Sequence, residues 1–432
     1  MSAGGARRTP GPGDWDARRS PRESLRPDTL AVRGGLVRSE FGEMSEALFL
    51  TQGYAYPSAG EAEAAFGGEV DRFLYSRYGN PTVSTFEERL RLIEGAEAAY
   101  ATASGMSAVF TALAALVRHG SRIVASRALF GSTVVIFDEI LAKWGVRTDY
   151  VDGHVPEQWE AALATPADVV FFETPSNPMQ DLVDIAGVSK LAHAAGAVVV
   201  VDNVFATPVL SRPLEHGADV IVYSATKHID GQGRVLGGAI LGTDEFIHGS
   251  VQTFIRNTGP SLSPFNAWVL LKGLETMSLR VRHQTASALQ LATWLEQHPA
   301  ITTVRYPYLS SHPQHGLALR QQTGGGTVVT LNLAVGDDAS ADDAKKATFG
   351  FLDALRVIDI SNNLGDAKSI VTHPATTTHR KLGPDGRAAV GIGAATVRLS
   401  VGLEDPADLV DDLSRALDGL GAREGRSAWP TG

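Results

Sequence analysis

One lysine stands where a nucleophilic amine would be useful. Lys227 lies in VIVYSATKHIDGQGR, Val220 to Arg234, just beyond the apolar run Asp219 to Tyr223. Such a run reads as a strand buried in a parallel sheet, and ligands collect at the carboxyl ends of such strands. An amine held there is partly desolvated, which favours its neutral form and lets it condense with a carbonyl. Lys227 is therefore the expected seat of a covalent cofactor, with the hydroxyls of Ser224 and Thr226 suited to a phosphate. A surface lysine after a strand would look the same locally, so the rest of the chain must decide.

Asp202 closes the run VVVVD and precedes Lys227 by one helix-plus-strand excursion, which brings both side chains to the same sheet edge. A buried carboxylate there suits a protonated ring nitrogen, the charge that makes a pyridine an electron sink; it would equally cap the next turn. Ser104-Gly105-Met106 follows AAYAT and opens the helix SAVFTALAALV, where exposed amides attract a phosphate and Gly105 permits close approach. A simple helix cap is the other reading. Asn177, in ETPSNP, also follows a strand, as a ligand or as an Asn-Pro turn. Arg398, in TVRLSVGLED, needs an anion if buried, either a bound carboxylate or an internal ion pair. Tyr75 and Arg77, in FLYSRYGNPT, precede the segment that holds the others.

These residues need a scaffold, and the pattern supplies one. Asn80-Pro81 opens a helix with Val83, Phe86, Leu90 and Ile93 at helical spacing. Apolar strands are expected at Ala98–Thr102, Ile123–Ser126, Val169–Glu173, Val198–Asp202 and Val220–Tyr223, with helices such as Val134–Trp144 and Val188–Ala195 between them. This is the rhythm of βαβ units. After Gly242 come two helical stretches, Phe265–Met277 and Ala286–Glu296, and strands at Thr327–Leu333 and Thr396–Val401, which predict a smaller α+β domain. The expected division is a tail over 1–28, an arm over 29–80, a large domain over 81–280 and a C-terminal domain over 281–432.

With 432 residues, two domains are the default. The net charge of −10 argues against nucleic acid as a partner. Without cysteine there is no disulfide, thiolate metal site or cysteine nucleophile, and the cytoplasm is the simplest compartment. No run has the roughly 18 apolar residues of a membrane span. GQGRVLG, Gly231 to Gly237, is spaced like a dinucleotide loop but does not sit between a strand and a helix, so an oxidoreductase is not expected.

In order, YSRYGNPT, SGM, ETPSNP, VVVVDN, SATKH and VRLSVGLED resemble the Cys/Met-metabolism family of pyridoxal-phosphate enzymes, from about Leu30 onward. The resemblance implies the type I, aspartate aminotransferase-like α/β fold, with a mostly parallel sheet in the large domain and a smaller C-terminal α+β domain. It implies pyridoxal 5'-phosphate attached to Lys227, its ring nitrogen on Asp202 and its phosphate held by Gly105, Met106, Ser224 and Thr226. Phe130 would stack on the ring, and Asn177 would contact the cofactor or the substrate. Tyr75 and Arg77 would reach the phosphate of a neighbouring subunit's cofactor, in a homotetramer built of such dimers. Arg398 would grip the substrate's α-carboxylate, and Asn363 would be a further substrate-binding residue, as Asn177 would.

Two departures narrow the expected chemistry. Phe130, in ALFGST, stands where many members carry a tyrosine, so stacking survives and a phenolic acid/base does not. Asn362 in ISNNLGDAKS replaces a glutamate associated with larger amino-acid partners. Phe130, NLGDAKS and VTHPATTTH are most similar to the branch that exchanges the acyl group of an O-acylhomoserine for sulfide. The succinyl ester is the expected donor, and an acetyl ester, or the cystathionine γ-synthase or γ-lyase reaction, the alternative.

Overall fold

The structure is a computed structural model that describes residues 25–336 and 338–424. The tail expected over residues 1–28 lies outside them except for its last four, of which Pro27 already begins a helix, Pro27–Arg33.

Seven strands form the large sheet: β1 Ala98–Thr102, β2 Arg122–Ser126, β3 Arg147–Val151, β4 Val169–Glu173, β5 Val198–Asp202, β6 Val220–Ser224 and β7 Gly238–Gly242. Their order is β1-β7-β6-β5-β4-β2-β3, and only β7 runs antiparallel to its neighbours. The expected α/β architecture is thus present. Unbroken Val runs follow from burial on both faces: Val200 and Val222 pack with Phe171 on one side, whereas Val199 and Val201 meet Phe172 on the other. Parallel register then places the carboxyl ends of β4, β5 and β6 side by side, with Glu173 opposite Asp202 and Asp202 opposite Val222.

A second sheet, ordered β10-β11-β12-β9-β8, contains β8 Ile301–Arg305, β9 Val328–Leu333, β10 Asp359–Ile360, β11 Ile370–Thr372 and β12 Thr396–Ser400. The two helices expected after Gly242 are one, Pro264–Glu296, so the 280/281 division falls inside it. Leu270, Leu274 and Met277 join the large-sheet core, while Ala288, Leu291 and Leu295 join that of the second sheet. The interval SLRVRHQT lacks a strong apolar repeat because hydrogen bonds seat its polar members: Arg280 donates to His228 O and Gly273 O, and Gln284 to Asp366 O and Val401 O. Gly273 allows that contact, since a Cβ there would stand 2.1 Å from Ile229 O.

The segment Val134–Trp144 was expected as a single helix. It forms an α turn, Gly131–Val135, then a wider π turn, Ile136–Ile140, and a tight 3-10 turn, Leu141–Trp144. Asn80 caps the helix Pro81–Glu94, accepting the Thr82 N–H at 3.0 Å. The arm before it is anchored at buried Arg89, which donates to Gly34 O at 2.8 Å and pairs with Glu46. Beyond this anchor Phe41, Met44, Leu50 and Phe66 lie exposed.

Candidate active site

Lys227 follows β6 in a turn closed by its own N–H on Ser224 O at 3.2 Å. Burial is the main reason its amine is depressed to about 8; the Arg398 cation adds to this and the Asp202 carboxylate opposes it. The ammonium donates to Asn363 Oδ1. Burial likewise raises Asp202 to about 7, against hydrogen bonding from Val204 and the pull of Lys227. Its Oδ1 accepts the Val204 N–H at 3.0 Å, so the turn-capping reading holds for that oxygen, and the carboxyl still faces Lys227 electrostatically.

Among the described residues Arg398 does not form the internal ion pair that was one of its two readings. Its side chain is 1 % exposed, and among the described residues no carboxylate lies within ion-pair distance. Its fork instead donates to Asn177 Oδ1 at 2.9 Å and to the carbonyls of Asn362 and Asn363 at 3.0 and 2.9 Å, leaving Nε without a partner. Burial lowers its pKa to about 10, so it stays charged at neutral pH. A buried cation answered only by neutral oxygens fits an incoming carboxylate.

The helix Gly105–Leu116 starts against the end of β6: a Cβ on Gly105 would lie 2.5 Å from Ser224 Cβ. Its first-turn amides and the Ser224 hydroxyl therefore share one corner, a cradle suited to a phosphate. Ser104 caps this helix through the Ser107 N–H at 3.2 Å. Met106 is half-buried and packs against the core under that turn. The Thr226 hydroxyl is engaged with Gly237, donating to its carbonyl at 3.2 Å and accepting its N–H at 3.1 Å, and would have to exchange the first bond to meet a phosphate.

The structure thus gathers Lys227, Asn363, Arg398 and Asn177 into one hydrogen-bonded group, with Asp202 charge-coupled to it and Gly105 packed on Ser224. The N–H of Phe130 is tied to Glu173, which stands beside Asp202. Tyr75 and Arg77 stand apart within the chain: Arg77 stacks on Tyr75 and Tyr78 and donates to Arg256 O. Arg77 and Arg256 line a separate cleft of about 550 Å³, together with Tyr54, Tyr78 and Tyr100. Sequence reasoning assigned no role to Glu173 or to His379, whose Nε2 bonds Asn177 O at 3.1 Å. Glu173 had a signal, since it ends β4 as Asp202 ends β5. His379 had none.

A desolvated lysine, a neighbouring buried carboxyl, a phosphate cradle and a cation awaiting a carboxylate fit pyridoxal phosphate and an amino-acid substrate. With the mostly parallel sheet beneath them, they define a type I pyridoxal-phosphate enzyme. Residues 28–418 match the Cys/Met metabolism PLP-dependent enzyme family, and the chain belongs to it. It is 64% identical to the O-succinylhomoserine sulfhydrylase of Mycobacterium tuberculosis, across 90% of this chain and 95% of that protein. Identity to the O-succinylhomoserine sulfhydrylase of Pseudomonas aeruginosa is 49%, across 94% and 99%. Among solved structures it resembles a putative O-acetylhomoserine (thiol)-lyase from Campylobacter jejuni that carries N'-pyridoxyl-lysine-5'-monophosphate, with a TM-score of 0.84 and 29% identity over 91% of this chain and 100% of that one.

The depressed amine has a measurable consequence. Only neutral Lys227 attacks an aldehyde, so in cofactor-free protein capture of pyridoxal phosphate should accelerate about tenfold per pH unit below 8 and level off above it. Stopped-flow absorbance between pH 6 and 9 checks this. A rate still climbing at pH 9 would mean that the amine is not depressed.

Proposed function

We propose that this chain exchanges the succinate of O-succinylhomoserine for sulfide, giving homocysteine and free succinate, in methionine biosynthesis in the cytoplasm. The 64% identity to a protein of that name, across 90% of the chain, is the observation that carries the reading. Asn362, a neutral residue whose carbonyl is spent on Arg398, supports sulfide over a larger amino-acid acceptor.

Bound pyridoxal phosphate supplies the electron sink that makes the substrate's α-proton acidic. Gly105, Met106 and Ser224, with Thr226 after its exchange of partner, hold the phosphate, and Asp202 keeps the ring nitrogen protonated. Arg398 fixes the α-carboxylate, helped by Asn177 and Asn363, which leaves Cα within reach of the Lys227 amine. Lys227 takes up the α-proton, releases it to the extended electron sink and, neutral again, takes up a β-proton. Succinate departs from Cγ, hydrosulfide adds there, and Lys227 returns protons to Cβ and Cα. Phe130 covers the ring without offering a hydroxyl, so proton transfer rests on Lys227. Incubating the holoenzyme with the succinyl or acetyl ester, each with sulfide or cysteine, should give homocysteine fastest from the succinyl ester and sulfide. Cystathionine as the main product, or preference for the acetyl ester, would refute the assignment.

The reading extends to a homotetramer in which Tyr75 and Arg77 reach the phosphate of the neighbouring subunit. The exposed apolar residues of the arm, and the cleft where Arg77 and Arg256 form no ion pair among the described residues, support it. Arg77→Ala and Lys227→Ala subunits, each inactive, should regain up to about a quarter of the parental activity when exchanged, since a random dimer is mixed half the time and has one intact site of two. No recovery despite proven exchange would refute shared sites.

A further inference from the structure

Glu173 ends β4 beside Asp202, is 6 % exposed and has no basic partner among the described residues. Its Oε1 accepts the Phe130 N–H at 2.7 Å, and the Asn177 backbone N–H also supports the carboxyl. One side chain therefore ties together two loops that belong to the site: the one that presents Phe130 and the one whose Asn177 holds Arg398. Neither loop has regular structure to fix it where Glu173 binds it. Phe130 lies just before the turn Gly131–Val135, and Asn177 lies between β4 and the helix Ile185–Ala194.

We propose that Glu173 is a positioning residue, whose reach rather than whose charge sets the Phe130 ring and Asn177 against the cofactor held beside Asp202. Burial first, and the adjacent Asp202 carboxylate second, push its carboxyl well above the usual range, which favours its uncharged form. A neutral amide of the same length is then its nearest mimic. Aspartate keeps the acid but draws it back by about 1.5 Å, one carbon–carbon bond, and stretches the 2.7 Å contact beyond hydrogen-bond range.

This inference rests on Lys227 as the cofactor's seat, so the test includes Lys227→Ala as a separate control. Parent, Glu173→Gln and Glu173→Asp holoenzymes are compared by cofactor dissociation constant and by circular dichroism of the cofactor's visible band, with thermal unfolding of the cofactor-free forms as a check on folding. Glu173→Gln should stay within about threefold of the parent with its dichroism unchanged. Glu173→Asp should bind about tenfold more weakly, with reduced dichroism, as expected when a buried amide loses its acceptor. A normal Asp variant beside an impaired Gln variant would mean that charge is what matters and overturn the inference. Equal behaviour of all three, or equal impairment of both variants, would overturn it as well. Retention of the lysine-linked band by Lys227→Ala would instead defeat the reading of the site.

Discussion

Replacing Lys227 with alanine should abolish turnover, lowering kcat by at least about 10⁴, the upper range of general acid–base catalysis, because on the proposed reading the same substitution also removes the covalent seat. Among the described residues near Lys227, neither Phe130 nor the two nearby imidazoles stands ready to take over. Phe130 has no titratable atom, His228 is buried and depressed to about 3 with its Nε2 bound to Thr327, and His379 is depressed to about 4 while it holds Asn177. The lysine-linked visible band should vanish, although the phosphate cradle remains and the cofactor should still bind non-covalently. Steady-state assay with absorbance spectroscopy reads both effects. Turnover within tenfold of the parent would show that another group moves the protons.

Arg398→Ala should lower kcat/KM by about 10²–10³, corresponding to about 3–4 kcal/mol for a buried, hydrogen-bonded charge pair. Most of the loss should appear in KM, because on the proposed reading the guanidinium binds the unreacting α-carboxylate rather than Cα or Cγ. Arg398→Lys should rescue little. A single ammonium cannot replace a fork that meets Asn177 Oδ1 and two carbonyls while presenting a further N–H to the substrate. With a substrate whose α-carboxylate is an amide, parent and variant should become nearly equal. If the variant kept its full deficit with that substrate, Arg398 would be acting through the fold instead.

The site was legible where chemistry coincides with a strand end. Lys227, Asp202 and Asn177 each follow a buried apolar run, and a parallel sheet brings such ends to one edge. The link between Asn177 and Arg398 was beyond reach, since it joins residues 221 positions apart across two sheets. Glu173 was read as part of a strand because its bond to Phe130 spans 43 residues and leaves no local pattern. The split of Pro264–Glu296 into two helices failed for a related reason: Arg280 and Gln284 are buried by long-range hydrogen bonds, so polar residues occupy inward positions that periodicity reads as an interruption. The Thr226 hydroxyl shows the limit from the other side, since its type suits a phosphate and its turn already uses it.

The seat of the cofactor is open to direct test. Borohydride reduction of the holoenzyme, proteolysis and mass spectrometry should find one phosphopyridoxyl group, on Lys227 in the peptide that ends at Arg234. The label on another lysine, such as Lys190 or Lys272, with Lys227 unmodified, would contradict the assignment from which the rest of the site is built.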